Sequence, residues 1–510
     1  MLRTATKILF IASALSTALA QDCKPVDFWG DSIVCECNAT YCDYYSDSKP
    51  LNSDEFISYV TSKGGKRLSR SEGNILNKAK NSHVININSN IQYQAIEGFG
   101  GAFTDAAGIN IKKLSKGSQD NLIRSYFGVD GSKYNFGRVP IAGTDFSTRP
   151  YTYDDVHGDV NLTNFTLSNE DFEYKIPIIK QALELNPSLR LVSASWTAPP
   201  WMKSNKEYNG FGYLLDDYYQ TYANYIVKFL EAYKNNGLEI WAVSTGNEPF
   251  TSLVPISHIN TMFWSSRTVS VWIQENLGPT LQQSTSNNTQ ILVLDDQRVA
   301  LPWYMINMRR HNPGALKYVS GIAVHWYTDE YFPAFVLDVT HDEFPDKFLL
   351  MTEFSVGDRP WEHPKVQLGS WSRADRLVKK LFENLSHWVV GWIDWNLALD
   401  TTGGPNWVQN YVDAMIIVDA EKDVFYKQPM FYALAHFSKF VPRSSVRIHT
   451  NSADKSVLSL AFKTPNNEIR VLLYNESDQK KNITIADEKV GYINIEMPEY
   501  SLHTLLYKNK

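Results

Sequence analysis

Cysteine is scarce in this chain of 510 residues: there are four, Cys23, Cys35, Cys37 and Cys42, and none beyond. So sparse a set excludes a fold stapled throughout by disulfides. Stability must come from burial, and 43% hydrophobic with 13% aromatic content supplies it in a chain long enough for more than one domain. Basic charge is not in excess either. Lys plus Arg is 49 against 55 for Asp plus Glu, a formal net charge of -6, which provides no field to attract phosphate backbones, so no nucleic-acid partner is expected. Several signatures are missing as well. There is no His-Glu-x-x-His pair, no Gly-x-Ser-x-Gly elbow and no P-loop, and the 11 histidines are scattered, so neither a metal nor a cofactor is expected. Past the first twenty residues, no apolar run is long enough to span a bilayer.

What is present begins with "MLRTATKILFIASALSTALA", where Arg3 and Lys7 precede a short apolar segment ending in Ala18-Leu19-Ala20. This is the layout of a secretory signal peptide over residues 1–20, cleaved after Ala20. Four cysteines early in the mature chain suit that oxidising route. Cys35 and Cys37 are too close to pair comfortably, which leaves Cys23–Cys35 with Cys37–Cys42 as the least strained choice. A zinc set would need two separated Cys-x-x-Cys knuckles, which these spacings lack. Sequons for N-glycosylation stand at Asn38, Asn161, Asn164, Asn287, Asn384, Asn475 and Asn482. Together with the leader, they point to a lysosomal or secreted glycoprotein.

Period-two alternation marks both ends of the chain. In "HVININSNIQYQ", Ile85, Ile87, Ile91 and Tyr93 share one face, and "SVLSLAFK", "EIRVLLYN", "NITIAD" and "YSLHTLLY" have the same texture. We expect an N-terminal disulfide-bonded, strand-rich segment over 21–95 and a C-terminal β-sandwich segment over 441–510 that packs with it. Between them, over 96–440, short apolar runs alternate with amphipathic segments such as "DFEYKIPIIKQALELN". Eight runs are countable: 96–103, 134–141, 190–195, 240–245, 290–295, 321–326, 348–353 and 389–394. Eight strand-helix units in roughly 300 residues predict an α/β fold with a (β/α)8 TIM barrel. A doubly wound open sheet would show a Gly-x-Gly-x-x-Gly turn, and the nearest match, "GFGGAF", puts Phe103 in the last glycine position.

In such a barrel the loops converge at the C-terminal ends of the strands. Glu248, in "STGNEPF", lies just past the fourth run and Glu353, in "FLLMTEFSVG", closes the seventh. A single acid there would read as a salt-bridged rim carboxylate. Two acids facing one cavity instead satisfy retaining glycoside hydrolysis, with one as nucleophile and the other as acid then base, about 5 Å apart. Asn247 can donate to the hydroxyl beside the reacting carbon. Asp145 and Phe146 follow the second run, Trp196 the third, His325, Trp326 and Tyr327 the sixth, Trp395 and Asn396 the eighth. Aromatic faces with interspersed Asp and Asn suit a neutral sugar better than a phosphate or a peptide.

These motifs bring out a resemblance. "CNATYCD", "GFGGAFTDAA", "RVPIAGTDFS", "ENLGPTL", "LDDQR", "GIAVHWY", "VVGWIDWNLAL", "GGPNWV" and "YKQPMFY" closely resemble the glucosylceramidase branch of glycoside hydrolase family 30 over nearly the whole mature chain. The resemblance implies Glu248 as acid/base and Glu353 as nucleophile. It implies that Asp145, Trp196, Asn247, Trp395 and Asn410 hold a glucosyl unit, with Tyr327 beside the nucleophile and Arg138, His325 and Arg298 as supports behind them. It implies glucosylceramide as substrate, presented by a saposin-type activator and acidic lipids to an enzyme peripheral to the lysosomal membrane. Relatives in the family extend the alternatives to other β-glucosides, such as β-1,6-glucan or steryl glucoside. A binding glycoprotein without catalysis is the alternative from another class. Ser257 and Ile259 stand where aromatic residues are expected of vertebrate members, and Ser355 where they have a cysteine, differences that fall on the aglycone entrance.

Overall fold

The computed structural model describes residues 22–45, 52–255, 257–452 and 454–510, so the expected leader lies outside the described residues. One strand forms at each of the eight expected runs. They are β1 (Gly98–Ala102), β2 (Phe136–Ile141), β3 (Arg190–Ser195), β4 (Ile240–Ser244), β5 (Gln290–Gln297), β6 (Val319–His325), β7 (Phe348–Glu353) and β8 (Val389–Asn396). All pair in parallel, and β8 returns to β1 to close the barrel. Helices cover the outside while side chains fill the inside, so every residue of β2 and β8 is buried and the runs read as continuous rather than alternating. The glycines of β1 serve this closure. A Cβ on Gly100 would stand 1.9 Å from the carbonyl oxygen of Phe136 on the neighbouring strand, so "GFGG" marks close packing of backbones and not a phosphate cradle.

Between β3 and β4 the helix Tyr219–Asn235 buries Tyr222, Tyr225, Ile226, Phe229, Leu230 and Tyr233, spaced by three and four. The helix Trp371–Ser386, after β7, starts where the Ser370 hydroxyl accepts the amide of Arg373, a cap worth about 1 kcal/mol. Among the described residues no helix is long and apolar enough to cross a membrane.

The two ends of the chain share one nine-stranded sheet, in which Glu55–Ser62, Ser69–Asn74 and His83–Ala95 join six strands from 446 to 508. Its strands are apolar on both faces for a reason. Ile469, Val471, Leu473, Leu505 and Tyr507 face the interior of the sandwich, whereas Phe462, Leu472, Tyr474, Leu502 and Leu506 face the barrel. The helix Pro429–Phe440, buried along its whole length, fills the junction. One expectation fails here. Ile91 is 45% exposed and leaves the face it was assigned, because pairing jumps from Gln92 opposite Ile448 to Asn88 opposite His449, and the bulged residues between them reset the alternation.

The cysteine segment belongs elsewhere. Its strand Val34–Asn38 pairs antiparallel with Val424–Lys427 in a separate five-stranded sheet, and the disulfides are Cys23–Cys35 and Cys37–Cys42. Two sequons are corrected by burial. The amide nitrogen of Asn384 donates to Asp329 and to the carbonyl of Lys380, and that of Asn475 donates to the carbonyls of Gln479 and Pro498. Both side chains are fully buried, so the nitrogen that a glycan would need is inaccessible in the folded chain. Asn161, Asn164, Asn287 and Asn482 are exposed, and Asn38 is half-buried.

Candidate active site

After β4 the chain turns through Gly246, at φ +148, and Glu248, at φ 41. Left-handed backbone costs a non-glycine residue roughly 1 kcal/mol or more. Two bonds hold it: the Asn247 amide donates to the Ser195 carbonyl at 2.8 Å and the Glu248 amide to that of Asp295 at 2.9 Å. Leu294 and Asp295 are also left-handed, so strained residues gather at the C-terminal end of the barrel. Glu353 is the last residue of β7. Carboxylate oxygens of Glu248 and Glu353 lie within 4.8 Å of one another and of a ring nitrogen of His325.

A buried network sets both acids. Arg138, from β2, donates to Glu353, to Asp295 at 3.0 Å and to the Asn247 side-chain oxygen at 2.7 Å. Tyr327 donates to Glu353 at 2.8 Å. His325 bridges Glu248, at 2.9 Å from Nδ1, and Asp295, at 3.0 Å from Nε2. Gln297 donates to Glu248 at 3.0 Å and Thr251 at 2.9 Å, while Thr352 donates to Asp295 at 2.5 Å. Burial opposes the His325 charge, but the carboxylates of Glu353, Asp295 and Glu248 hold its proton up to about 10. Burial likewise opposes ionisation of Asp295, yet the Arg138 charge and the His325 bond keep it well below the usual carboxylate range.

Arg138 and His325 thus pair with three carboxylates, and a fourth acid, Asp296, is buried close by, where burial and the charge of Glu248 push it up to about 7. Glu248 and Glu353 interact closely enough to titrate as a pair. Burial raises Glu248, but His325, Thr251 and Arg138 more than offset it and leave it lowered. Burial raises Glu353, and the charge of Glu248 adds to this against His325, Arg138 and Tyr327.

The remaining expected residues line the same cleft, of about 320 Å³: Asp145, Phe146, Trp196, Asn247, Tyr327, Trp395 and Asn410. Trp196 stacks on Trp395 with ring centres 5.0 Å apart, and Phe146 meets Trp395 edge-on. Asp145 accepts from Asn410 at 3.1 Å and Asn406 at 3.2 Å. Burial pushes its carboxyl up to about 7, because those amides only partly compensate and the Glu353 charge adds to the rise. Arg298 is not among them. Its guanidinium pairs with Asp329 and Glu383 and donates to the carbonyls of Asp329 and Phe332, so it anchors the segment that follows Tyr327 without touching either glutamate. Trp326 also turns away, with its indole on the Ser355 carbonyl, and Asn396 accepts from Thr104 below the cleft.

Asp295, Gln297, Thr251, Thr352 and Asn406 were not singled out from the sequence. Asp295 carried a usable signal, an acid closing the buried fifth run, which is the criterion that found Glu353. The others are ordinary polar residues whose role depends on what faces them. Glu248, His325 and Glu353 also offer ligand atoms close enough to share a metal ion. Both ring nitrogens of His325 donate to carboxylates, however, and an imidazolium has no lone pair to give. Cys37 and Cys42, grouped with Asp43, are consumed in a disulfide.

Comparison with known proteins agrees with this fold. Residues 96–441 match the model of the glycosyl hydrolase family 30 TIM-barrel domain, and residues 444–505 that of the family 30 beta sandwich domain. The chain is 42% identical to the lysosomal acid glucosylceramidase of Mus musculus, over 98% of each chain. It is also 42% identical to putative glucosylceramidase 4 of Caenorhabditis elegans, over 93% of each. Among solved structures, SrfJ from Salmonella typhimurium superposes with a TM-score of 0.83 at 26% identity, covering 89% of this chain and all of that one.

Proposed function

The chain belongs to glycosyl hydrolase family 30, and on that premise we propose that it hydrolyses glucosylceramide to glucose and ceramide with retention at the anomeric carbon. One observation carries the chemistry: the oxygens of Glu248 and Glu353 lie within 4.8 Å. Retaining enzymes hold their carboxyls about 5–5.5 Å apart, whereas inverting ones leave roughly 6.5–9.5 Å for a water.

Glu353 is the nucleophile and Glu248 the acid/base. The glucosyl ring lies against Trp196 and Trp395, with Asp145 and Asn410 binding its hydroxyls. Arg138 occupies the Asn247 oxygen, so the Asn247 amide NH2 donates to the hydroxyl beside C1. Attack needs the charge on Glu353 and the proton on Glu248. Sugar hydroxyls donating to Glu353 favour its charged form. Glu353 oxygen then bonds to C1 while the C1–O bond to ceramide breaks, and Glu248 gives its proton to the departing oxygen. In the glucosyl ester Glu353 is neutral, so its charge no longer raises Glu248, and Glu248 becomes the base that takes a proton from the incoming water.

Aromatic side chains around the mouth support a lipid substrate. Trp303, Tyr331 and Trp361, on the loops and helix after β5, β6 and β7, are 67%, 62% and 69% exposed, and the Arg359 guanidinium stands 5.5 Å from the rings of both Tyr331 and Trp361. Exposed tryptophan and tyrosine suit a membrane interface, and Arg359 beside them is paired with Glu330 at 2.6 Å. The partner proposed is a lipid surface; the saposin-type activator and the lysosomal setting rest on the likeness to the lysosomal acid glucosylceramidase of Mus musculus. Ile259 lines the cleft on the aglycone side.

A cyclitol epoxide or fluoro-glucoside that traps the intermediate tests this reading. The label is expected on the peptide 349–357, is lost in Glu353→Gln, and protects against glucosylceramide turnover. A label elsewhere overturns the nucleophile, and turnover of a soluble β-glucan in preference to glucosylceramide in acidic vesicles overturns the substrate.

A further inference from the structure

We propose that Ser147, Asp105 and Lys175 are positioning residues that hold Asp145 in its sugar-binding conformation, a role that rests on the glycosidase reading above. Asp145 lies in a tight loop after β2. Within it the Thr144 hydroxyl accepts the Phe146 amide at 2.9 Å, and the Ser147 hydroxyl accepts the Thr144 amide at 3.1 Å. The same hydroxyl donates to Asp105 Oδ2 at 2.6 Å, so Ser147 ties both flanks of Asp145 to the first turn of the helix Asp105–Lys112.

Asp105 is itself fixed from behind. Its Oδ1 has no hydrogen-bond donor and is met only by the Lys175 ammonium at 3.6 Å, while Oδ2 takes Ser147 and the Tyr151 hydroxyl. Lys175 is fully buried and pairs with Asp171 at 2.8 Å. On the other side of the loop, the Trp407 amide donates to the Asp145 carbonyl at 3.1 Å and its indole to that of Thr144 at 3.0 Å. The loop is clamped between these walls, and the Asp105 wall decides how far Asp145 leans toward Asn410.

A buried triad of two carboxylates and an ammonium is a poor device for stability alone, since well-packed hydrophobes often do as well. What hydrophobes do not supply is a directed carboxylate for Ser147. The Lys175 charge, 3.6 Å from Asp105 Oδ1, offsets the buried carboxylate, and Oδ2 is left to the two hydroxyls. The three residues touch no sugar and act through Asp145.

Ser147→Ala removes the side-chain link while keeping every buried ion pair and the backbone bond from the Ala106 amide to the Phe146 carbonyl at 2.9 Å. We expect kcat/KM for an aryl β-glucoside, and the affinity for a glucose-configured imino sugar measured by calorimetry, to fall together by roughly 10-fold, since small misplacement of a binding group is costly. In an Asp145→Asn background the same substitution is expected to cost less than about 2-fold, the signature of acting through that residue. Ser147→Thr, which keeps the hydroxyl, is expected to restore most of the loss. Equal losses in both backgrounds, or none in either, overturn the proposal. Glucosylceramide left unhydrolysed while the coupling stands overturns the substrate and not the positioning role.

Discussion

Replacing His325 by glutamine tests how the catalytic pair is tuned. The imidazolium is buried between Glu248 and Asp295 and holds its proton up to about 10. Its bond and charge lower Glu248, and its charge lowers Glu353. A unit charge about 4 Å away is worth about 4 kcal/mol at an effective dielectric near 20, equivalent to about 3 pH units as a ceiling. Glutamine keeps a hydrogen bond, so His325→Gln is expected to move both limbs of the bell-shaped kcat/KM profile upward by about 1–2 pH units. A soluble aryl β-glucoside assayed from about pH 4 to about pH 9 reads this without the lipid surface. Stability changes with a definite sign. The folded-state value lies above 6.5, so the contribution of His325, at most about 5 kcal/mol, is fully present below about pH 6.5 and fades as pH rises through about 10. Urea unfolding should show a wide gap between wild type and variant near pH 5 that closes toward about pH 10. A bell that stays in place or moves downward, or a gap equal at both pH values, refutes the reasoning.

Two further outcomes follow from the geometry. Burial, reinforced by the charge of Lys66, pushes His503 down to about 3. Its folded-state value lies below 6.5, so stability present above about pH 6.5 is lost toward about pH 3, by up to about 1.4 kcal/mol per pH unit. His503→Gln should flatten this acid limb, measured as urea midpoints near pH 7 and about pH 4.5, and parallel losses in both proteins would contradict it. Trp303→Ser with Trp361→Ser should cut binding to acidic vesicles and turnover of glucosylceramide in them by roughly 10-fold or more, with hydrolysis of an aryl β-glucoside unchanged. Equal loss on both substrates would refute a role confined to the lipid surface.

Much of the framework was legible in the chain. Parallel strands buried on both faces read as uninterrupted apolar runs, which is why β2, β3 and β7 appear where expected, and an acid that ends such a run is conspicuous because burial penalises it. Glu248 and Glu353 were visible for that reason, and the aromatic and amide residues at the other strand ends by recurrence. Ile91 and Asn384 show where pattern reading stops. A bulge resets the face of a strand without altering its alternation in sequence, and a sequon carries no mark of its burial.

Sequence by itself determined which groups stand at the C-terminal ends of the eight strands, since period and chain order assign each residue to an end and a side. Only the tertiary structure decided which of them meet. The approach of the two glutamates to within 4.8 Å, the shared use of Arg138 by Glu353, Asp295 and Asn247, and the clasp of Ser147 on Asp105 depend on register between strands far apart in the chain. The tuning of the two glutamates is further still from the sequence, because it follows from the summed field of the buried groups around them and changes whenever one of those gains or loses a charge.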